Sequence, residues 1–209
     1  MQKPVSYTKM ALDLFWLQLT WTFWALGVIS LIHIGRIIFS NELNSIYSAG
    51  YIASNIYMLI IGIIVINLLP YYVQNGITRK YYFFGNAMAS LGLSIIIPIL
   101  VYVASFLEKL VTNNFTSKVL KDHLLEEIIN DVVLDIDGNL IGEIILSFIL
   151  TPFVHQESNL VLSLALFSLH IFVFYLIGWM IGAAFYRLRA IGGIIFIAIG
   201  LALIALKDQ

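Results

Sequence analysis

Four histidines, His33, His123, His155 and His170, are the side chains of this sequence best suited to proton transfer or metal binding, and they are scattered along it. No two stand four residues apart on one helix, the spacing that a helical metal site needs. No glycine-rich phosphate loop follows a strand pattern, no serine sits in a nucleophile elbow, and no two carboxylates face each other across an apolar run. Cysteine is absent, which removes disulfides, thiolate metal sites and cysteine nucleophiles. Two features remain. His170 lies in the middle of an apolar run, where an ionisable group marks either a functional site or a neutral imidazole hydrogen-bonded across a helix interface. Arg79 and Lys80 stand side by side between two apolar runs, in VQNGITRKYYFFGN. With no catalytic constellation in view, neither an enzyme nor an intramembrane hydrolase is expected, and no metal or cofactor is expected in this chain.

The elements that carry these residues follow from composition. The 209 residues are 61% hydrophobic and 11% charged, and mean hydropathy is +0.96. A soluble domain carries about 25% charge, so the solvent to reason with is a bilayer. There every backbone polar group must be satisfied internally, which leaves helices or closed barrels. Long unbroken apolar runs select helices, and five are long enough to span: 14–38, 51–73, 83–107, 160–185 and 191–206. The first, with Trp16, Trp21 and Trp24, reads as a retained helix rather than a cleaved signal. A sixth stretch, 140–154, is about 15 residues long, holds Glu143 and meets Pro152, which suits an interfacial or re-entrant segment better than a crossing. The expected fold is an all-α integral membrane protein, a single bundle of five or six transmembrane helices.

Orientation follows from the short-loop cations. Lys3 and Lys9, Arg79 and Lys80, and Arg187 and Arg189 fall on one face if there are five spans; by the positive-inside rule that face and the N-terminus are cytoplasmic and the C-terminus external. Arg36, Lys109, Lys118 and Lys121 are exceptions. The formal net charge of −1 says nothing about partners; the lipid bilayer is expected from composition, and nucleic acid is not expected. The external segment, 108–158, is the one part of soluble character. Leu120, Leu124, Ile128 and Val132 recur at helical spacing, and seven of the twelve acids lie from Asp122 to Glu143. This reads as an amphipathic helix with a solvated acidic face, or as a field that attracts a cationic ligand. DIDGN, from Asp135, lacks the glycine position and closing glutamate of a calcium loop, and reads as a polar turn.

Packing signals are clearer than chemical ones. Gly178 and Gly182 form a small-xxx-small pattern, and Gly85, Ala89 and Gly92 line one side of the third span. Pro98 is placed to kink that span, while Gln18, Asn55 and Asn67 read as polar glue between helices. Pro70 ends or bends the second span and Gly76 permits a sharp turn. Residues 77–84, polar at Thr78, Arg79 and Lys80 and aromatic from Tyr81 to Phe84, have room for about two helical turns in the interface.

LPYYVQNGITRKYYFFGN resembles the first cytoplasmic loop of small permease subunits of bacterial ATP-binding-cassette exporters. There an apolar run leads to a Gly, hydroxyl, Arg, Lys unit, then aromatics and a Gly: here Gly76, Thr78, Arg79, Lys80, Phe83, Phe84 and Gly85. GWMIGAAFYRLRAIGG, residues 178–193, is similar to the small-residue helix, Tyr-Arg turn and Gly-rich restart near the end of the same subunits. The resemblance implies a coupling helix over 77–84 that docks on an ABC-type ATPase subunit, with Gly76, Ile77, Thr78, Arg79, Lys80, Tyr81 and Phe84 as the coupling residues. It also implies a second permease subunit, identical or related, and export of an amphipathic substrate such as a peptide. No Walker motif occurs, so ATP and Mg belong to the partner subunits. Family members have six spans against five counted here. The alternative is a non-transporting assembly, sensing or immunity protein that binds a partner through its acidic external loop.

Overall fold

The computed structural model describes residues 7–39, 46–115 and 160–207, with side chains over 7–32, 50–107 and 160–199. Every element among them is helical: α1 (Tyr7–Phe39), α2 (Ile46–Val65), a 3-10 turn (Ile66–Leu68), α3 (Leu69–Gln74), α4 (Arg79–Phe115) and α5 (Leu160–Lys207). Four stretches are long and apolar enough to cross a membrane: Tyr7–Ile32, Gly50–Gln74, Arg79–Leu107 and Leu160–Ile199. The amphipathic and re-entrant stretches expected within 108–158 lie almost wholly outside the described residues.

The helices pair in parallel couples. Tyr7 stacks on Tyr81 with ring centroids 4.0 Å apart, a β-carbon at Gly85 would lie 3.2 Å from Met10 Cβ, and one at Gly92 would lie 3.1 Å from the Phe15 ring. Helices α1 and α4 therefore start at the same end and rise together. Tyr51 packs on Phe167 at 4.7 Å, Gly178 backs onto Leu59 and Gly182 onto Ile63, so α2 and α5 run together in the opposite sense. Phe83, at the start of α4, meets Trp179, well along α5, at 4.8 Å. Phe115 and Leu160 thus belong to the end of the bundle away from Arg79.

Glycine sets the α2–α5 distance. A β-carbon at Gly178 would fall against the Leu59 carbonyl oxygen, one at Gly62 against the Tyr175 carbonyl oxygen, and one at Gly182 would sit 2.6 Å from the Ile63 carbonyl oxygen. The two backbones touch directly, which only small residues allow. Met58, Phe167 and Ile171 fill the seam around them.

Two expectations change. There is no separate coupling helix over 77–84: Arg79–Phe84 is the first turn and a half of α4, because no proline stands between Thr78 and Pro98 to break the helix, and α4 runs on through Pro98 to Phe115. The stretches 160–185 and 191–206 belong to one element, α5, broken at Arg189, where the backbone takes φ 59° and ψ −174°. Unbroken, its 48 residues would reach about 72 Å at 1.5 Å per residue. Past the break the chain bends, so that a β-carbon at Gly193 would meet the Phe185 ring.

Gly178→Ala is expected to lower stability by about 1–3 kcal/mol, the usual cost of overpacking a tight contact. Gly27, whose β-carbon would meet nothing within 4 Å, tolerates the same change. Reversible unfolding in mixed detergent micelles distinguishes the two; equal responses would mean that the close approach is not limiting.

Candidate functional site

The turn that carries Arg79 and Lys80 is built from its backbone outward. Helix α3 ends in a Schellman arrangement: Ile77 N–H donates to the Tyr72 carbonyl and Gly76 N–H to the Val73 carbonyl, both at 3.0 Å. Gly76 takes φ +83°, the left-handed conformation that closes such a motif without a β-carbon penalty. Ile77 and Tyr72 both pack against the core, the apolar contact that accompanies the motif. Asn75 Nδ2 adds a bond to the Tyr71 carbonyl, 2.8 Å. Two residues later Thr78 caps α4, its Oγ1 accepting from Tyr81 N–H at 3.3 Å. Arg79 and Lys80 are the first helical residues and both are exposed. Tyr81 and Phe84 face α1, where both contact Tyr7.

Behind the turn lies a repair. Pro70 has no N–H to give the Ile66 carbonyl, and Leu69 N–H supplies that bond instead. The Val65 carbonyl thereby loses its usual helical donor, Leu69. The Tyr82 hydroxyl, from α4, donates to it, and Tyr82 is buried to 2% exposure. The proline bend of one helix is thus pinned to the first turns of the next.

Deeper in, three helices meet at a wholly buried polar cluster. Gln18 Nε2 on α1 donates to Asn86 Oδ1 on α4 at 3.2 Å. The Tyr175 hydroxyl on α5 lies 2.7 Å from Asn86 Oδ1 and 3.0 Å from Gln18 Oε1. One turn along α1, Thr22 Oγ1 bonds the Gln18 carbonyl at 2.9 Å and the Tyr57 hydroxyl of α2 at 3.0 Å. Of the residues expected to act as polar glue, Gln18 and Asn55 are buried and Asn67 is exposed. Asn86, Tyr175, Tyr82, Thr22 and Tyr57 were not anticipated, and neither was Gly62. The signal available for Asn86 was an amide with apolar neighbours two turns into a span.

His170 lies apart from this cluster, its ring 5.2 Å from Phe174 and 5.9 Å from Tyr51. Gly178 and Gly182 lie in the α2–α5 seam. No group of three or more His, Cys, Asp or Glu that could hold a metal ion occurs among the described residues. Every charged side chain among those described, Lys9, Asp13, Arg79, Lys80, Arg187 and Arg189, is exposed and belongs to one end of the bundle. No family model, curated protein or solved structure matches this chain.

Tyr82→Phe is expected to cost about 0.5–1.5 kcal/mol, one net hydrogen bond, and less in a Pro70→Ala background. There the N–H restored at position 70 serves the Ile66 carbonyl and frees Leu69 N–H for Val65. Equal losses in the two backgrounds would show that the proline is not what makes the tyrosine necessary.

Proposed function

We propose that this chain is a multi-pass membrane permease subunit of an ATP-driven exporter, working with separate ABC-type ATPase subunits and a second permease subunit, identical or related. The cargo is an amphipathic molecule such as a peptide, and ATP and Mg are bound by the ATPase partners. The observation that carries the reading is the mounting of Arg79 and Lys80. They are exposed cations on a turn closed by Gly76 and capped by Thr78, and they begin a helix that continues inward to Asn86. A partner that presses on this turn moves α4 as one piece. The sequence resemblance assigns that partner the chemistry of an ATPase groove.

In this reading the Arg79 end is cytoplasmic, since the cations gather there and short-loop Lys and Arg mark the inner face. Stretches 160–185 and 191–206 are two crossings joined at the Arg187–Arg189 turn, giving five, with the C-terminus outside. A reporter fused after Gln209 is expected to be accessible from outside intact cells; an accessible reporter only after permeabilisation would remove the fifth crossing.

The coupling itself is tested by purification from membranes. The tagged chain should bring down an ATPase that carries a phosphate-binding loop. Arg79→Ala with Lys80→Ala should reduce the ATPase recovered, or the ATP turnover of the complex, at least several-fold while insertion is unchanged. A stable native complex without any ATPase, or undiminished assembly and turnover in the double variant, would sink the reading.

A further inference from the structure

Helix α1 is the most weakly seated of the four long helices. Over its most apolar window 17% of residues are buried, against 39% in Gly50–Gln74, 39% in Arg79–Leu107 and 28% in Leu160–Ile199. Its outer face, with Trp16, Trp24 and Leu31, is exposed. Lipid exerts no hydrophobic pressure that would drive one apolar helix against another, so α1 is held by close packing and polar ties. The close packing is at Gly85 and Gly92. The polar ties to other helices leave from about one turn of α1, at Gln18 and Thr22.

The tie at Gln18 has two settings. As placed, Tyr175 has one hydroxyl proton for two oxygens, Gln18 Oε1 and Asn86 Oδ1, so one of those contacts lacks a hydrogen. Asn86 Nδ2, wholly buried, has no partner among the described residues. A half-turn of both amides changes the pattern. Asn86 Nδ2 then donates to Gln18 Oε1 and to the Tyr175 oxygen, and Gln18 Nε2 donates to the Tyr175 oxygen, which has two lone pairs to receive them. All three contacts then carry a proton, while the Tyr175 hydroxyl proton and Asn86 Oδ1 are left to seek partners elsewhere. Each setting leaves something buried and unpaired, so the cluster ties α1 to its neighbours less tightly than three fully paired groups would.

We propose that α1 is a lateral gate on the bundle and that Gln18, Asn86 and Tyr175 form its latch. Release moves α1 away from α4 and α5 while the α2–α5 pair, joined backbone to backbone at Gly62, Gly178 and Gly182, stays fixed. This goes beyond the exporter reading, because the latch belongs to this chain alone and needs no ATPase to be observed.

The absence of cysteine makes the test direct in the full chain in native membranes. Met10→Cys with Gly85→Cys reports the gate: a β-carbon at Gly85 lies 3.2 Å from Met10 Cβ, close to the span of a disulfide, about 3.5–4.5 Å. Gly50→Cys with Val101→Cys, 3.7 Å between the corresponding β-carbons, reports the α2–α4 contact at the other end. Oxidation rates are read by alkylating the remaining thiols and measuring mass. Adding Tyr175→Phe, which keeps the ring beside Trp179, or Gln18→Leu raises the open-to-closed ratio about threefold, the shift carried by one interhelical hydrogen bond, and should slow closure of the first pair by up to that factor. The second pair should close at its original rate. An unchanged first pair would make the cluster inert packing, and a matched slowing of both pairs would make it a general stability element; either result overturns the gate.

Discussion

If these helices cross a bilayer, as proposed, one that loses a backbone hydrogen bond there has no water to replace it, and this chain lacks the donor at Pro70 and Pro98 and leaves helical geometry at Arg189. Each unsatisfied group in hydrocarbon costs several kcal/mol, so a break calls for a local answer, and the answers at Pro70 and Arg189 organise the structure. At Pro70 the answer comes from another helix. The chain tightens into a 3-10 turn over Ile66–Leu68, and the Tyr82 hydroxyl occupies the Val65 carbonyl. That bond fixes the start of α4 relative to the end of α2, and with it the position of the turn bearing Arg79 and Lys80.

The same constraint explains why the bundle is assembled from two kinds of contact. Helices α2 and α5 have no need of side-chain polarity between Leu59 and Ile63, because glycines let their backbones meet and dispersion does the rest. Helix α1 lacks such a seam with α2 or α5. Its attachment to α5 is made through Gln18, and to α2 through Thr22, which places its polar residues where they must find partners or leave the bundle.

These contrasts also mark what could be read from the residues alone. The helical class, the sharp turn at Gly76, and Gln18 as a tie between helices follow from local composition, since apolar run length, a glycine beside an amide and a polar residue inside a span are each visible within a few positions. Partner identity is not local: Asn86 and Tyr175 lie 68 and 157 residues from Gln18, and only topology brings them together. Gly62 has no small neighbour at four-residue spacing, so its place opposite Gly178 leaves no pattern in α2. The separate coupling helix is what the resemblance implies, and Thr78 to Phe84, cations followed by aromatics, read as an interfacial element. A threonine cap followed by residues free of any breaker up to Pro98 specifies a continuous helix instead, and those aromatics spend their faces on α1 and α5.

At Arg189 the answer to the lost bonds is position. An arginine at φ 59° and ψ −174° occupies a backbone region that is essentially glycine's, at a cost of order 1–3 kcal/mol. A break within the apolar body would add unsatisfied carbonyls to that strain. Here Tyr186 to Ala190 are exposed, at the end that carries every charged side chain described, where water or lipid headgroups can take the freed groups. Gly192 and Gly193 then let the chain past the bend approach Leu188 and Phe185 more closely than any β-carbon would permit. The bend therefore sits where its strain is the main cost, and the glycines that make room for it follow the arginine instead of replacing it, which keeps an exposed cation at the bend.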